Sequence, residues 1–201
     1  EEGSVSLPAP GEGQVLVTVR AAGINPVDYK LFGGLTRPLE VLRSIVHPGR
    51  WFARGADRPL RGVGQDFAGV VAAVGSSVTD VAVGDEVIGL LRAAPWQVRE
   101  YGSLATQLVI SADNVVPKPA SMNFDVAGGL GVAAQTAMGA MRSVKADAGD
   151  VIVVAAAAGG VGGLVTQLAV ARGATVIGIA GPSNADYLRS LGAIPVSYGE
   201  G

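Results

Sequence analysis

Residues Val151 to Gly162 read VIVVAAAAGGVG, a β-branched apolar run that gives way to small residues and then glycines. Few local patterns restrict a fold so tightly. Val151 to Val154 suit a short strand. Ala157, Gly159 and Gly162 then fall at the spacing G-x-G-x-x-G, with alanine in the first place. Beyond them Leu164, Val165, Leu168 and Ala169 recur at helical spacing as far as Gly173, a C-terminal stop. Strand, tight turn and helix in that order predict a seat for a dinucleotide pyrophosphate. Gly159 lets the backbone approach the phosphates, and Gly162 lets the helix pack closely on the strand. The unpaired N–H groups of the first helical turn, at Gly160, Val161 and Gly162, then face the anion. The plainer alternative is close packing of a helix on a sheet. A second predicted strand at 174–180 (ATVIGIA) completes a β-α-β unit and favours the dinucleotide.

The kind of dinucleotide follows from what comes after that second strand. A site for NAD carries Asp or Glu about 20 residues past the first glycine, bonded to the ribose 2′-hydroxyl. Here Gly181, Pro182, Ser183 and Asn184 occupy that place, and the first carboxylate is Asp186, on the next helix. Small polar groups tolerate a 2′-phosphate that an acid would repel, so the expectation is NADPH, with Gly181, Ser183 and Asn184 beside it.

The 201 residues are 49% hydrophobic and 16% charged, which allows a sizeable core in one large or two small domains and argues against disorder. No apolar stretch reaches membrane-spanning length and no signal pattern opens the chain, so the expectation is a soluble cytoplasmic protein. There is no cysteine, hence neither a disulfide nor a thiolate metal ligand. The net charge of −2 hides an asymmetry. Between Thr36 and Gly62 six arginines (37, 43, 50, 54, 58 and 61) face only Glu40 and Asp57. They stand singly among Trp51, Phe52, prolines and glycines, which reads as a solvated loop rather than a nucleic-acid surface.

Along the chain, short strands are predicted at 14–21, 66–74 and 103–111, 83–89 reads as a tight turn into another strand, and a proline-punctuated crossing follows at 114–120. From Asn123 the pattern turns helical through Phe124, Val126, Ala127, Leu130, Ala133, Ala137 and Met141. A polar loop, 145–150, leads into the glycine-rich unit, and a third strand is predicted at 194–198. The fold class is therefore α/β with a β-rich first part. A dinucleotide fold has six strands in two halves, so the second part reads as one half, in a truncated or partial chain.

AAGINPVDYKLFGG (21–34), GQDFAGVVAAVGSSVTDVAVGDEVIG (64–89), YGSLATQLVISADNVVPKPASM (101–122) and VIVVAAAAGGVG together resemble the medium-chain dehydrogenase/reductase superfamily, in its zinc-independent quinone-oxidoreductase-like branch. The likeness covers nearly all of the chain outside 36–62, in the family's order. It implies a GroES-like catalytic domain over 1–122, with 36–62 as a long basic insertion. The N-terminal half of a Rossmann NADP-binding domain follows over 123–201, and NADPH lies in the cleft between the two. It also implies a homodimer of the full protein.

Zinc-dependent members of the superfamily place a cysteine ligand where this chain has Asn25, and a His-Glu pair where it has Gln65 and Asp66. Amides are poor zinc ligands and one carboxylate does not hold a catalytic zinc, so no metal is expected. Alcohol oxidation then lacks its Lewis acid. Hydride delivery to a quinone, or to the β-carbon of an α,β-unsaturated carbonyl, remains feasible, because conjugation spreads the developing charge.

The resemblance places Asn25 near the nicotinamide ribose and substrate, and Thr136 against the nicotinamide. Asp28 matches a family aspartate, with capping of the helix that starts near Val27 as its competing role. Tyr29 and Lys30 are candidate proton donors or enolate stabilisers, with plain surface exposure as their alternative. Tyr198 matches a tyrosine at the 2′-phosphate. Two departures stand out. Thr36 replaces a tyrosine that some relatives carry near the reacting ring, and Ser183, Asn184 and Ala185 replace a phosphate-binding Lys or Arg. His47, the one histidine, reads as a surface residue. The position of 36–62 suggests that it covers the cleft and recognises an acidic or phosphorylated substrate tail. Two rival readings stand beside the quinone or enone reductase: an enoyl-thioester reductase of polyketide or fatty-acid type, and a catalytically silent NADPH-binding protein.

Overall fold

The computed structural model describes residues 6–32, 62–91 and 102–199, with backbone alone at 31–32. Thr36, His47 and all of the 36–62 insertion except Gly62 lie outside the described residues. The chain divides into two compact units, Glu1–Val132 and Ala133–Gly201.

The first unit is built on one antiparallel sheet. Its strands are β1 (Gln14–Gly23), β2 (Asp66–Val74), β3 (Glu86–Leu90), β4 (Gln107–Ser111) and β5 (Val115–Pro117), in the order β4-β1-β2-β3-β5. Period-two alternation turns Val15 and Val17 inward, where they meet Phe67, Val71, Val87, Leu108, Ile110 and Val115. Gly89 stands under the Phe67 ring, whose Cζ would lie 2.0 Å from any added Cβ, so the ring occupies the room a side chain would need.

Two expectations for this unit change. The strand predicted at 103–111 begins only at Gln107, because Ser103 and Leu104 give their N–H groups to Gly64 and Val63 rather than to a neighbouring strand. Val115–Pro117, within the predicted crossing, is an edge strand paired with β3. Pro117 is accommodated there because an edge strand does not need every N–H.

The helical stretch predicted from Asn123 is two helices. Helix α2 (Phe124–Gly128) is capped by Asn123, whose Oδ1 accepts the Val126 N–H at 2.9 Å, and α3 (Gly131–Val144) follows a break at Gly129 and Leu130. The break has a tertiary cause. A Cβ on Gly128 would lie 2.7 Å from that of Ala21, and one on Gly23 would lie 2.8 Å from the Gly129 Cα. Backbone thus packs on backbone where β1 ends, and the chain restarts its helix beside β2. A last helix of this unit, α1 (Pro26–Phe32), follows β1 with proline at its first position, where the missing N–H costs nothing.

The second unit is a parallel three-stranded sheet, β6 (Val151–Ala155), β7 (Thr175–Ala180) and β8 (Ile194–Ser197), in that spatial order. Helix α4 (Gly160–Ala171) links the first two strands, and α5 (Ala185–Ser190) precedes the third. Val154, Val176 and Ala180 face Ala157, Ala169, Leu188 and Met141 in one core, while Val151, Val153, Ile194 and Val196 are exposed. The β-α-β unit stands as expected, and Gly173 (φ +86°) ends α4 in the left-handed conformation that glycine adopts without strain. Among the described residues no helix is long and apolar enough to cross a membrane.

Candidate functional site

Three groups of predicted residues come together, one in the first unit and two in the second. The first lies where β1 runs into α1. Asn25 precedes Pro26 and so takes the N-cap position, and Asp28 is the third helical residue. The Asp28 Oδ2 accepts the Asn25 backbone N–H at 2.8 Å, while the Asp28 N–H donates to the Asn25 carbonyl at 2.9 Å. This is the return half of a capping box. The other half is diverted, for the Asn25 side chain does not turn back onto its helix. Its Nδ2 donates to Asp66 Oδ2 at 2.7 Å.

Asp66 opens β2, paired with Gly23 on one side and Leu90 on the other, and it is fully buried. Its second oxygen, Oδ1, accepts the Val132 N–H at 2.7 Å from the first turn of α3. A helix N-terminus is a natural partner for a carboxylate. Burial pushes the Asp66 carboxyl above its ordinary value, against the opposing hydrogen bonds from Asn25 and Val132, and the Asp28 carboxylate adds to the rise. Asp28 itself is buried at 5% exposure. Sequence reasoning had weighed Asp66 only as a metal ligand. Its replacement of the His-Glu pair marked the position, but its partners, Asn25 and Val132, are remote in sequence. Both carboxylate oxygens are engaged by N–H donors, and among the described residues no three His, Cys, Asp or Glu side chains cluster as a metal site would require.

The other candidates of this unit lie farther out on α1, where Tyr29 is 62% exposed and Lys30 is exposed as well. Thr136, counted with the second unit, sits on α3 and is exposed.

The second group is the glycine-rich turn. Ala156 takes φ +52°, which a residue with a side chain adopts only at a cost, and Gly159 caps α4 with extended backbone. A Cβ on Gly162 would lie 2.2 Å from the Ala156 carbonyl oxygen, so only glycine lets the helix start this close to the strand end. Gly160, by contrast, looks onto open space. The alanine in the first place of the fingerprint is buried, and it fits because Gly178 on β7 faces it; a Cβ there would come within 3.1 Å of the Ala157 Cβ. Gly160, Val161 and Gly162 open the helix, where N–H groups have no intrahelical acceptor.

At the ends of β7 and β8 a third set gathers. A Cβ on Gly181 would lie 3.7 Å from Asn184 Nδ2 and 3.9 Å from Tyr198 Cε2. The Tyr198 N–H donates to the Ala180 carbonyl at 3.1 Å, which holds the 59%-exposed ring beside that turn. Ser183 lies exposed in the short 3-10 turn Pro182–Asn184. Gly181, Asn184 and Tyr198 are thus neighbours, and no carboxylate stands among them.

The model of the alcohol dehydrogenase GroES-like domain matches residues 11–120. Among curated proteins, the chain is 35% identical over 196 residues to an NADPH-dependent alkenal/one oxidoreductase, chloroplastic, of Arabidopsis thaliana, covering 96% of this chain and 46% of that protein. Among solved structures, the CurK enoyl reductase is 30% identical with a TM-score of 0.78, over 97% of this chain and 54% of that one. The quinone oxidoreductase from Coxiella burnetii is 33% identical with a TM-score of 0.75, over 97% and 56%. The chain thus spans about half the length of the relatives it matches. Through a GroES-like sheet and an open β-α-β unit, this chain belongs to the medium-chain dehydrogenase/reductase superfamily, in its quinone-oxidoreductase-like branch.

Proposed function

We propose that the protein to which this chain belongs reduces a quinone or an α,β-unsaturated carbonyl with NADPH and without a metal. The observation that carries the cofactor is the turn at Ala156–Gly162, whose geometry excludes a side chain at Gly162 and opens α4 with N–H groups free of intrahelical acceptors. A pyrophosphate suits that cradle, held by the N–H groups of Gly160, Val161 and Gly162, while Gly159, whose own N–H goes to the Ala156 carbonyl at 2.9 Å, lets the backbone come close. Gly181, Ser183, Asn184 and Tyr198 would receive the 2′-phosphate, since none of them is acidic and three carry polar donors. NADPH supplies a hydride when bound.

The chain's own residues then bind, orient and exclude water. Asn25 offers an amide fixed by its neighbours, and Thr136 a hydroxyl on α3, both read as contacts of the nicotinamide end. Asp28 holds the Asn25 backbone through its N–H, and Tyr29 and Lys30 remain candidates for the proton that completes an enolate. The two carboxylate oxygens of Asp66 are engaged by N–H donors, which supports chemistry free of zinc at this corner. A relative named as an alkenal/one oxidoreductase supports the enone substrate class.

The enoyl reductase among the structural relatives favours one second reading, an enoyl-thioester reductase. NADPH consumption by the full protein, with quinones, simple enones and enoyl-CoA offered side by side, tests both. Turnover of quinone or enone supports the main reading and turnover of enoyl-CoA alone the second. Tight NADPH binding with no turnover of any would overturn both in favour of a silent binding protein.

A further inference from the structure

Asn25 is held at three atoms: its N–H and carbonyl by Asp28, and its side-chain Nδ2 by Asp66. Asp66 is in turn held from the other side by the Val132 N–H. An ionised carboxylate only accepts hydrogen bonds, so it grips a primary amide by the NH2 end alone. The turned-over amide would set Asn25 Oδ1 against Asp66 Oδ2, two acceptors with no proton between them. The oxygen end of Asn25 therefore points away from Asp66, and among the described residues it has no hydrogen-bond partner.

We propose that Asp66 is a positioning residue: it selects the rotamer of the Asn25 amide so that Oδ1 is presented to the bound ligand. The ligand group met there is then a hydrogen-bond donor, a hydroxyl or an amide N–H. This rests on the reductase reading only for the identity of that ligand. Proton uptake by Asp66 reverses the selection. A protonated Oδ2 donates to the Asn25 oxygen, the amide turns over, and its NH2 group faces outward instead. Asp28 on α1 is the one other charged group acting on Asp66 among the described residues. Gly23 on β1, Leu90 on β3, and Gly131 and Val132 on α3 bring none. The same reversal is available chemically. An asparagine at position 66 keeps the Val132 N–H on its own oxygen and gives its NH2 group to the oxygen of Asn25.

The test is a double-mutant cycle in the full protein, with Asp66→Asn, Asn25→Ala and the pair. The readouts are NADPH affinity, kcat and KM on an enone, their pH profiles, and thermal unfolding. Asp66→Asn is expected to unfold no earlier than wild type and yet to lose roughly tenfold or more in kcat/KM. That loss is expected to disappear in the Asn25→Ala background, and the acid limb of the wild-type profile to be missing from Asp66→Asn. Equal losses in both backgrounds would show that Asp66 acts independently of Asn25 and overturn the proposal, as would no loss at all.

A second readout needs no turnover and separates this proposal from the reductase reading. In 15N-labelled protein one Asn25 side-chain N–H proton is expected to lie downfield, exchange slowly, and move as Asp66 titrates. Should no quinone or enone be reduced, that resonance still decides. A downfield, titrating proton sustains the positioning role while the reductase reading falls, and an ordinary free-amide pair overturns the positioning role itself.

Discussion

Asn25 and Asp66 lie 41 positions apart in the chain, and their side chains meet at 2.7 Å. Asn25 stands where its own helix would ordinarily use it as a cap, and its amide instead crosses to the first residue of the neighbouring strand. The N–H that a cap side chain would have received, that of Asp28, is taken by the Asn25 carbonyl. A residue suited by type to close a helix end is thereby released for a different task.

Asp66 is expected to make stability depend on pH in an unusual direction. Its carboxyl is raised by burial above the unfolded value of 3.8, so the folded protein binds this proton more tightly than the unfolded chain. Its contribution is fully present below the unfolded pKa and is lost as pH rises through the folded one. Asp66→Asn carries no such charge. The stability of Asp66→Asn relative to wild type is therefore expected to increase from acid to neutral pH, read from urea midpoints at a series of pH values. A difference that shrinks over that interval would contradict the assignment.

The two glycines that open α4 are expected to behave oppositely. Gly162→Ala sets a methyl 2.2 Å from the Ala156 carbonyl oxygen and is expected to cost about 1–3 kcal/mol of stability along with NADPH affinity. Gly160→Ala meets no atom within 4 Å and is expected to leave stability unchanged or slightly raised. Thermal unfolding of the two variants, with and without NADPH, gives the comparison.

Gly23→Ala is expected to disturb the Asn25 corner from behind. The new methyl would lie 2.8 Å from the Gly129 Cα, 2.9 Å from the Gly128 carbonyl oxygen and 3.2 Å from the Asp66 Cβ. None of these is the end of a flexible side chain, so the turn between α2 and α3 must move. A loss of about 1–3 kcal/mol is expected, together with a changed Asn25 side-chain resonance. An unchanged resonance in a destabilised variant would show that the turn and the amide are uncoupled.

Asn184→Asp places a carboxylate beside Gly181 and near the Tyr198 ring. If this turn receives a 2′-phosphate, the new charge repels it and leaves a ribose hydroxyl as an acceptable partner. The ratio of NADPH to NADH affinity is expected to fall by roughly tenfold, equivalent to about 1.4 kcal/mol. Fluorescence titration with both cofactors measures it, and an unchanged ratio would move the phosphate elsewhere.

The strand at Val151–Ala155, the helix behind Gly160 and the stop at Gly173 were legible from residue order, because each is set by a period of two or 3.6 and by what glycine permits. The same holds for the first half of β1, whose alternation buries Val15 and Val17. The crowding that makes Gly162 necessary was also foreseeable, since it arises within seven residues of chain. These features are local, and local sterics act before any long-range contact forms.

Long-range contacts account for the rest. Gly128, Gly129 and Gly131 weaken a helix between Phe124 and Val144, yet low propensity alone does not set where or whether it breaks. The break follows from backbone contact with Ala21 and Gly23, about a hundred positions earlier in the chain. Val115–Pro117 is a strand because β3 has an open edge to receive it. Asp66 was visible as a lone acid where relatives carry a metal-binding pair, yet its task depends on an amide 41 positions away on one side and a helix start 66 positions away on the other. A buried carboxylate must find donors wherever the fold brings them. Residue order could show that such an acid was present, but the identity of its donors, and so the direction in which Asn25 faces, emerged from the packing of β1, β2 and α3.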